Sequence, residues 1–184
     1  MSTDDARDQQ LVRDTLAGER RAFGRLVNLY QKPVYNAALK IVRDTELAAD
    51  ITQTAFLKAF ENLNTYNPKY RFFSWLYRIA INTALNEQQK RRSHESVDDI
   101  DIADDATPED FAASHELEDR VGDALLELNP QDRALILLRH YQKFSYDELG
   151  FIFDVRSKTI KSRLFTARQR LKEIFEQRGI RIEA

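Results

Sequence analysis

Apolar residues recur at steps of three and four along most of the chain, the spacing that turns one side of an α-helix toward a core. Between Arg7 and Val42 the series is Leu11, Val12, Leu16, Phe23, Leu26, Val27, Tyr30, Val34, Ala38 and Ile41, with a break expected near Gly18. Pro33 within this run is expected to start or kink a helix. A second helix is expected over Thr45–Leu63, carrying Ile51, Ala55, Ala59, Phe60 and Leu63 on its inner side. Asn64 to Pro68 reads as a loop, because the residue before a proline avoids helical backbone. A third helix, from about Phe72 to Arg92, turns Trp75, Leu76, Ile79, Ala80, Thr83 and Ala84 inward. Further on, Thr107-Pro108-Glu109-Asp110 has the capping hydroxyl, first-position proline and acidic first turn of a helix start. That helix continues through Leu117, Val121, Leu125 and Leu128. Asn129-Pro130-Gln131-Asp132 starts another, with Leu135, Ile136, Leu138 and Tyr141. Ser145-Tyr146-Asp147-Glu148 is a capping box opening a short helix to about Phe153, and the last helix runs from about Ser157 to Gln177. The fold class is all-α.

Composition agrees: five glycines and four prolines interrupt 184 residues rich in strong helix formers. Zero cysteines exclude a disulfide scaffold and thiolate metal sites. No stretch approaches the roughly 18 apolar residues of a membrane span, and the acidic, polar N-terminus is the opposite of a secretory signal. A cytoplasmic protein without membrane insertion is expected. The net charge of −2 hides a strong asymmetry, because residues 93–119 hold eleven acids and no Lys or Arg. The rest of the chain has 28 basic against 19 acidic side chains, a hint of a nucleic-acid partner. The layout is therefore two small helical domains, 1–92 and 113–184, joined by a flexible acidic linker, 93–112, too poor in apolar residues to fold alone.

The last two helices and the DVRS turn between them have helix-turn-helix proportions, in which the second helix enters the major groove. On that helix Ile160, Leu164, Ala167, Leu171, Ile174 and Phe175 form the core stripe. Lys158, Lys161, Ser162, Phe165 and Gln169 point away from it, and seven basic residues but no acid lie between Arg156 and Lys172. A solvated basic face is the bland alternative. Phe165 weighs against it, since an aromatic ring left among charges invites a covering partner. In the first half, residues 65–92 pack six aromatics and six Lys/Arg into 28 positions. Trp75 and Ile79 belong to the core, whereas Tyr66, Tyr70 and Phe72 lie in or beside the loop. Asn82 and Asn86 share one helix face, where amides can read base edges while aromatics stack an extruded base. Chemistry alone leaves this reading level with an ordinary capped helix. No Gly-rich phosphate loop, nucleophile elbow or metal-ligand spacing occurs, and His94, His115 and His140 are scattered. An enzyme, a cofactor or a metal site is not expected.

Taken together, DITQTAFLKAFENL, RFFSWLYRIAINTALNEQQKRR, LNPQDRALILLRHYQKFSYDELGFIF and TIKSRLFTARQRL resemble extracytoplasmic-function (ECF) σ factors over about residues 8–177. The resemblance implies a σ2-like bundle and a σ4-like helix-turn-helix domain. Its implied partners are core RNA polymerase (the β′ clamp helices and the β flap), promoter DNA and an anti-σ factor. The β′ contact maps to Asp50, Gln53, Thr54 and Phe56, with Thr54 standing where an acid is usual. Recognition and melting of the −10 element maps to Tyr66, Asn67, Lys69, Tyr70, Arg71, Asn82 and Asn86. The −35 element maps to Arg156, Lys158, Thr159, Lys161, Ser162, Arg163, Phe165 and Arg168, with Lys158 in place of the usual glycine. A helix-turn-helix regulator that does not replace the σ subunit is the alternative, and a σ-like decoy that binds polymerase without opening DNA is a third reading.

Overall fold

Among the residues that the computed structural model describes, 3–95 and 120–180, helices are joined by short turns and no strand occurs. They are α1 (Thr3–Leu16), α2 (Arg20–Val42), α3 (Thr45–Glu61), a 3-10 turn (Leu63–Thr65) and α4 (Phe72–Glu95). After them come α5 (helical over 120–126), α6 (Pro130–His140), α7 (Tyr146–Phe153) and α8 (Ser157–Gln177). The acidic linker 93–112 has only its first three residues inside this range, at the end of α4; the expected helix start at Thr107-Pro108 and Leu117 lie outside the described residues.

The helix limits follow from local chemistry. Gly18 separates α1 from α2 at φ +105°, a left-handed backbone that side chains rarely tolerate. Pro33 neither starts nor ends a helix but lies inside α2, and its carbonyl accepts a 2.8 Å hydrogen bond from the Tyr77 hydroxyl. Asp44 caps α3, accepting from the Leu47 amide at 2.8 Å while Arg91 donates to its other oxygen at 2.8 Å. The Leu47 amide first, and then Arg91, hold this carboxyl below its ordinary pKa. Helix α3 stops at Glu61 rather than Leu63 because the Asn62 side chain donates to the Lys58 carbonyl (2.8 Å) and competes with further helix. At the other end of the first half, α4 runs to Glu95, three residues beyond the expected limit.

Both halves share one continuous buried cluster. Leu26, Ile41, Ile51, Leu76 and Tyr77 anchor it in the first half; Leu138, Leu149, Ile152 and Ile160 anchor it in the second. Phe144 joins them, its ring 5.4 Å from Phe73 and 5.2 Å from Tyr77. The side chain of Arg133, buried beneath α6, donates to Gln88 of α4 at 2.9 Å. Three residues of the expected apolar series are exposed: Leu16 (54%) at the end of α1, Tyr141 (49%) just past α6, and Phe60 (43%). Ile51, Ala55 and Ala59 fill the space under α3, and Phe60, about 100° round the helix from Ala59, reaches its edge beside Phe23 (5.0 Å).

Candidate functional site

Three surfaces hold the residues singled out from sequence. The first is the loop before α4 and the adjoining helix face. The Tyr66 hydroxyl donates to the Tyr70 carbonyl at 2.7 Å, and its ring lies 5.8 Å from Phe72 and 5.6 Å from Trp75. Burial, with Asp8 and Asp5 nearby, pushes the Tyr66 hydroxyl up to about 12, so it stays a neutral donor. The Asn67 side chain accepts from the Lys69 amide (2.9 Å), and Gln9 of α1 donates to the Pro68 carbonyl (3.2 Å). These bonds make the loop a defined turn with Lys69 exposed at its tip. Asp8 of α1 is buried and accepts from the Tyr30 hydroxyl, whose ring packs on Phe72 and Phe73. Asn82 and Asn86 are exposed together on α4 and line a cleft of about 590 Å³, whose far wall includes Asn129, Pro130, Arg163 and Arg170.

Two residues of this loop are already engaged. Tyr70 stacks on Phe151 of α7, centroids 3.9 Å apart and planes at 15°. Arg71 is paired with Asp5 of α1 at 3.0 Å and with Glu148 of α7 at 3.4 Å. Glu148 also accepts from the Ser74 hydroxyl (3.0 Å), the Ser145 amide (2.9 Å) and the Ser145 hydroxyl (2.8 Å). Burial pushes this carboxyl up, but the Ser145, Ser74 and Arg71 interactions outweigh it and hold it below the ordinary glutamate range. Sequence reasoning identified Glu148 only as half of the capping box. Its contacts to Ser74 and Arg71, more than 70 residues away, have no local signal.

The second surface is α8. Helix α7 ends at Asp154 in the left-handed region, and the chain turns so closely that a Cβ on Gly150 would stand 2.7 Å from the Val155 carbonyl oxygen. The Val155 amide bonds the Gly150 carbonyl at 2.9 Å, so this turn requires glycine there. Ile160, Leu164, Ala167 and Phe175 face the core, and Leu171 and Ile174 are half-buried, as the stripe predicts. Arg156, at the N-cap, precedes a face on which Lys158, Thr159, Lys161, Ser162, Arg163, Phe165 and Arg168 are all exposed. Phe165 is 66% exposed, the largest value among the large apolar side chains described. Ion pairs on α8 fall farther along, at Arg170–Asp132 (2.6 Å) and Lys172–Glu176 (3.6 Å).

The third surface lies between α2 and α3. Asp50 and Gln53 are exposed and Thr54 is half-buried, while Phe56 is buried and forms part of a groove instead of projecting. The groove, about 690 Å³, is lined by residues of these two helices alone, among them Phe23, Val27, Tyr35, Leu57 and Phe60. Leu57 is 56% exposed. Sequence reasoning missed Phe23, Leu57 and Phe60 here. The available signal was that Phe56, Leu57 and Phe60 span a wider arc of α3 than one core stripe needs. Among the described residues no His/Cys/Asp/Glu cluster could hold a metal, and no helix is long and apolar enough to cross a membrane.

Comparison with known proteins matches residues 26–94 to Sigma-70 region 2 and residues 118–171 to Sigma-70 region 4. The RNA polymerase sigma-H factor of Pseudomonas aeruginosa is 31% identical, with 92% of this chain and 94% of that protein covered. The ECF RNA polymerase sigma-E factor of Escherichia coli is 33% identical, with 88% of this chain and 91% of that protein covered. Among solved structures, CnrH in complex with the cytosolic domain of CnrY superposes with a TM-score of 0.71 at 23% identity, covering 93% of this chain and 98% of CnrH, a likeness of fold. The sigma factor RpoE of Bartonella quintana, in complex with the anti-sigma factor NepR, gives 0.69 at 26% identity over 84% of this chain and 96% of RpoE.

Proposed function

The chain belongs to the ECF σ factors of RNA polymerase, and from that premise we propose that it seats on bacterial core polymerase, selects promoters and helps open their −10 region. It is a binding factor working in the cytoplasm; the polymerase does the chemistry. The observation that carries the reading is Phe165, 66% exposed on a basic helix face whose opposite stripe is core. A ring held there meets thymine methyls while Lys161 and Ser162 meet base edges, and Arg156, Lys158, Thr159, Arg163 and Arg168 anchor phosphates of the −35 element. The loop Tyr66, Asn67, Lys69, Tyr70 and Arg71, with Asn82 and Asn86, takes the unpaired −10 strand: aromatics stack, amides read edges and cations follow the backbone.

Polymerase would be held through both halves. The apolar groove between α2 and α3, with Asp50, Gln53 and Thr54 beside Phe56, fits a helical partner such as the β′ clamp helices. The β flap would take the second domain, 113–184, and the acidic tether 93–112 would leave it free to move relative to domain 1–92. Joining two modest contacts raises the effective concentration of the second. An anti-σ factor that covers the groove would keep the chain from polymerase; the CnrH and RpoE structures are complexes with CnrY and with the anti-sigma factor NepR. A free-standing helix-turn-helix regulator accounts for α6–α8 and gives no role to the groove or to the aromatic-basic loop. The test is reconstitution with core polymerase on a promoter library, with transcript starts mapped. Starts clustered downstream of one paired −35/−10 motif are expected; random starts, or none, overturn the reading.

A further inference from the structure

The inner side of α1 is polar where a core helix would be apolar. Asp5, Asp8, Gln9 and Val12 follow the three- and four-residue spacing of one helix face, and Val12 is in the core. The three positions before it nevertheless carry two carboxylates and an amide. Asp8 is only 3% exposed. Burying a carboxylate is unfavourable unless it is paired and hydrogen-bonded. Here Arg7 reaches one oxygen at 3.0 Å, and the Tyr30 hydroxyl donates to the other. An apolar side chain of like size commonly fills such a place without loss of stability, so stability alone does not call for Asp8. What these polar groups hold is the loop before α4. Tyr30, bonded to Asp8, lays its ring 5.9 Å from Phe72 and 5.1 Å from Phe73, the first two residues of α4. Gln9 donates to the Pro68 carbonyl in the middle of the loop at 3.2 Å, and Asp5 takes Arg71 at 3.0 Å. All of these partners lie within residues 3–95.

We propose that Asp8 and Gln9 of α1 are positioning residues for −10 recognition: acting through Tyr30 and Pro68, they fix the shape of the loop 66–71 before any strand arrives. The inference rests on the −10 reading above and deepens it by naming residues that serve the site from behind. Asp8 is buried and Gln9 and Tyr30 are half-buried, so none of them is placed to touch a base. Their effect is on order. A loop that is loose in the free protein loses conformational entropy when a strand binds, and a loop already held in one shape loses less. Gln9 fixes the loop at Pro68, and Tyr30 fixes the first turn of α4, from which the loop departs. Inside that frame the Tyr66 hydroxyl closes on the Tyr70 carbonyl, which leaves Asn67 and Lys69 exposed in a defined place.

The test uses the full chain in holoenzyme. Tyr30→Phe keeps the ring on Phe72 and Phe73 and removes only the hydroxyl; Gln9→Glu keeps length and helix preference but cannot donate to Pro68. Each should lower affinity for a fork-junction DNA with an unpaired −10 strand by about three- to tenfold, the factor that one hydrogen bond of ordinary strength supplies. The loss should be larger for the strand selected in the promoter library than for one with its −10 bases exchanged. An equal loss on both strands makes the role merely structural and overturns the proposal. Asp8→Ala should match Tyr30→Phe, and the two together should do no more than either alone. Asp8→Asn keeps an acceptor for Tyr30 and should recover most of the affinity. A carboxylate acting only by its charge would repel the strand, so a rise in affinity with Asp8→Ala overturns the proposal, as do unchanged affinities in Tyr30→Phe and Gln9→Glu. Should Asp8→Ala fail to fold, those two variants decide. If Asn67→Ala and Lys69→Ala also leave fork-junction affinity unchanged, the −10 assignment itself falls; if they lower it while the Gln9 and Tyr30 variants do not, only the positioning role does.

Discussion

Helix α8 and the loop ahead of α4 carry similar chemistry, an aromatic ring among cations, yet they stand in different states. On α8 the ring of Phe165 meets solvent, and Lys158, Arg163 and Arg168 are exposed around it. On the loop, the ring of Tyr70 is stacked and Arg71 is shared between Asp5 and Glu148. The difference teaches that exposure alone does not mark a reading surface. A duplex reader can stay open because the duplex comes to it preformed. A ring beside a guanidinium is sticky for any other ring and carboxylate, and in this fold α7 supplies both.

Phe144→Ala attacks the junction between the two regions and should have the largest effect. Its side chain is almost fully buried between Phe73 and Tyr77, so truncation should cost about 3–5 kcal/mol. Denaturant unfolding followed by Trp75 fluorescence, set against helix content, is the measurement. The comparison sharpens if the halves then unfold at separate midpoints, and weakens if one cooperative transition simply moves.

Gly150→Ala strikes the turn that sets α8, the proposed duplex-reading helix, against α7. Its added Cβ would lie 2.7 Å from the Val155 carbonyl oxygen, and that atom belongs to backbone that cannot swing aside. Overpacking of this kind costs about 1–3 kcal/mol. Loss of −35 duplex binding with the α2–α3 groove still able to bind polymerase is expected, read by anisotropy and by holoenzyme pull-down. Wild-type duplex affinity would mean that the turn yields more than its geometry allows.

Phe165→Ala should be smaller, about 1–3 kcal/mol of sequence discrimination, with helicity retained because the ring supports no core. Competition between promoter and scrambled duplex measures it. An unchanged ratio removes Phe165 from the reading set and leaves α8 a phosphate-binding face.

How much of this was legible in sequence depends on the range of the interaction. The capping box at Ser145, the caps at Asn129 and the start of α8 at Ser157 are local, so spacing alone located them. The core stripe of α8 was legible for the same reason. Phe60 was misassigned because periodicity tells which residues share a side but not where the neighbouring helix ends. Pro33 was ambiguous because a proline inside a helix is tolerated when tertiary contacts hold both flanks, here Leu26 before it and Val34 after it in the core and Tyr77 on the Pro33 carbonyl. The double role of Glu148 was invisible, since Ser74 and Arg71 meet it only after α4 and α7 pack.

The smallest expected effect isolates that glutamate. Its carboxyl is held below the ordinary value of 4.5, first by the Ser145 amide and hydroxyl of its own cap and then by Ser74 and Arg71 of the first half, so ionised Glu148 contributes stability that is fully present above that value, and the Ser74 and Arg71 share of it joins the two halves. As pH falls below 4.5 toward the depressed value, the folded chain takes up a proton there and the contribution disappears. Near neutral pH Glu148→Gln should change the contact between the halves only slightly, since a neutral amide can still accept from Ser74 and Ser145 at the cost of the Arg71 charge. Asp44, held low in the same way by Leu47 and Arg91, gives a parallel acid response inside the first half, so total unfolding cannot separate the two. The measurement is therefore a distance between labels on α2 and α6 followed from pH 6 downward. In the unmodified chain the halves should part earlier than either unfolds, and in Glu148→Gln the separation should lose most of its dependence on pH. If both chains part along the same curve, Arg71 and Ser74 are held in place by the aromatic contacts alone, and the carboxylate of α7 is only a helix cap.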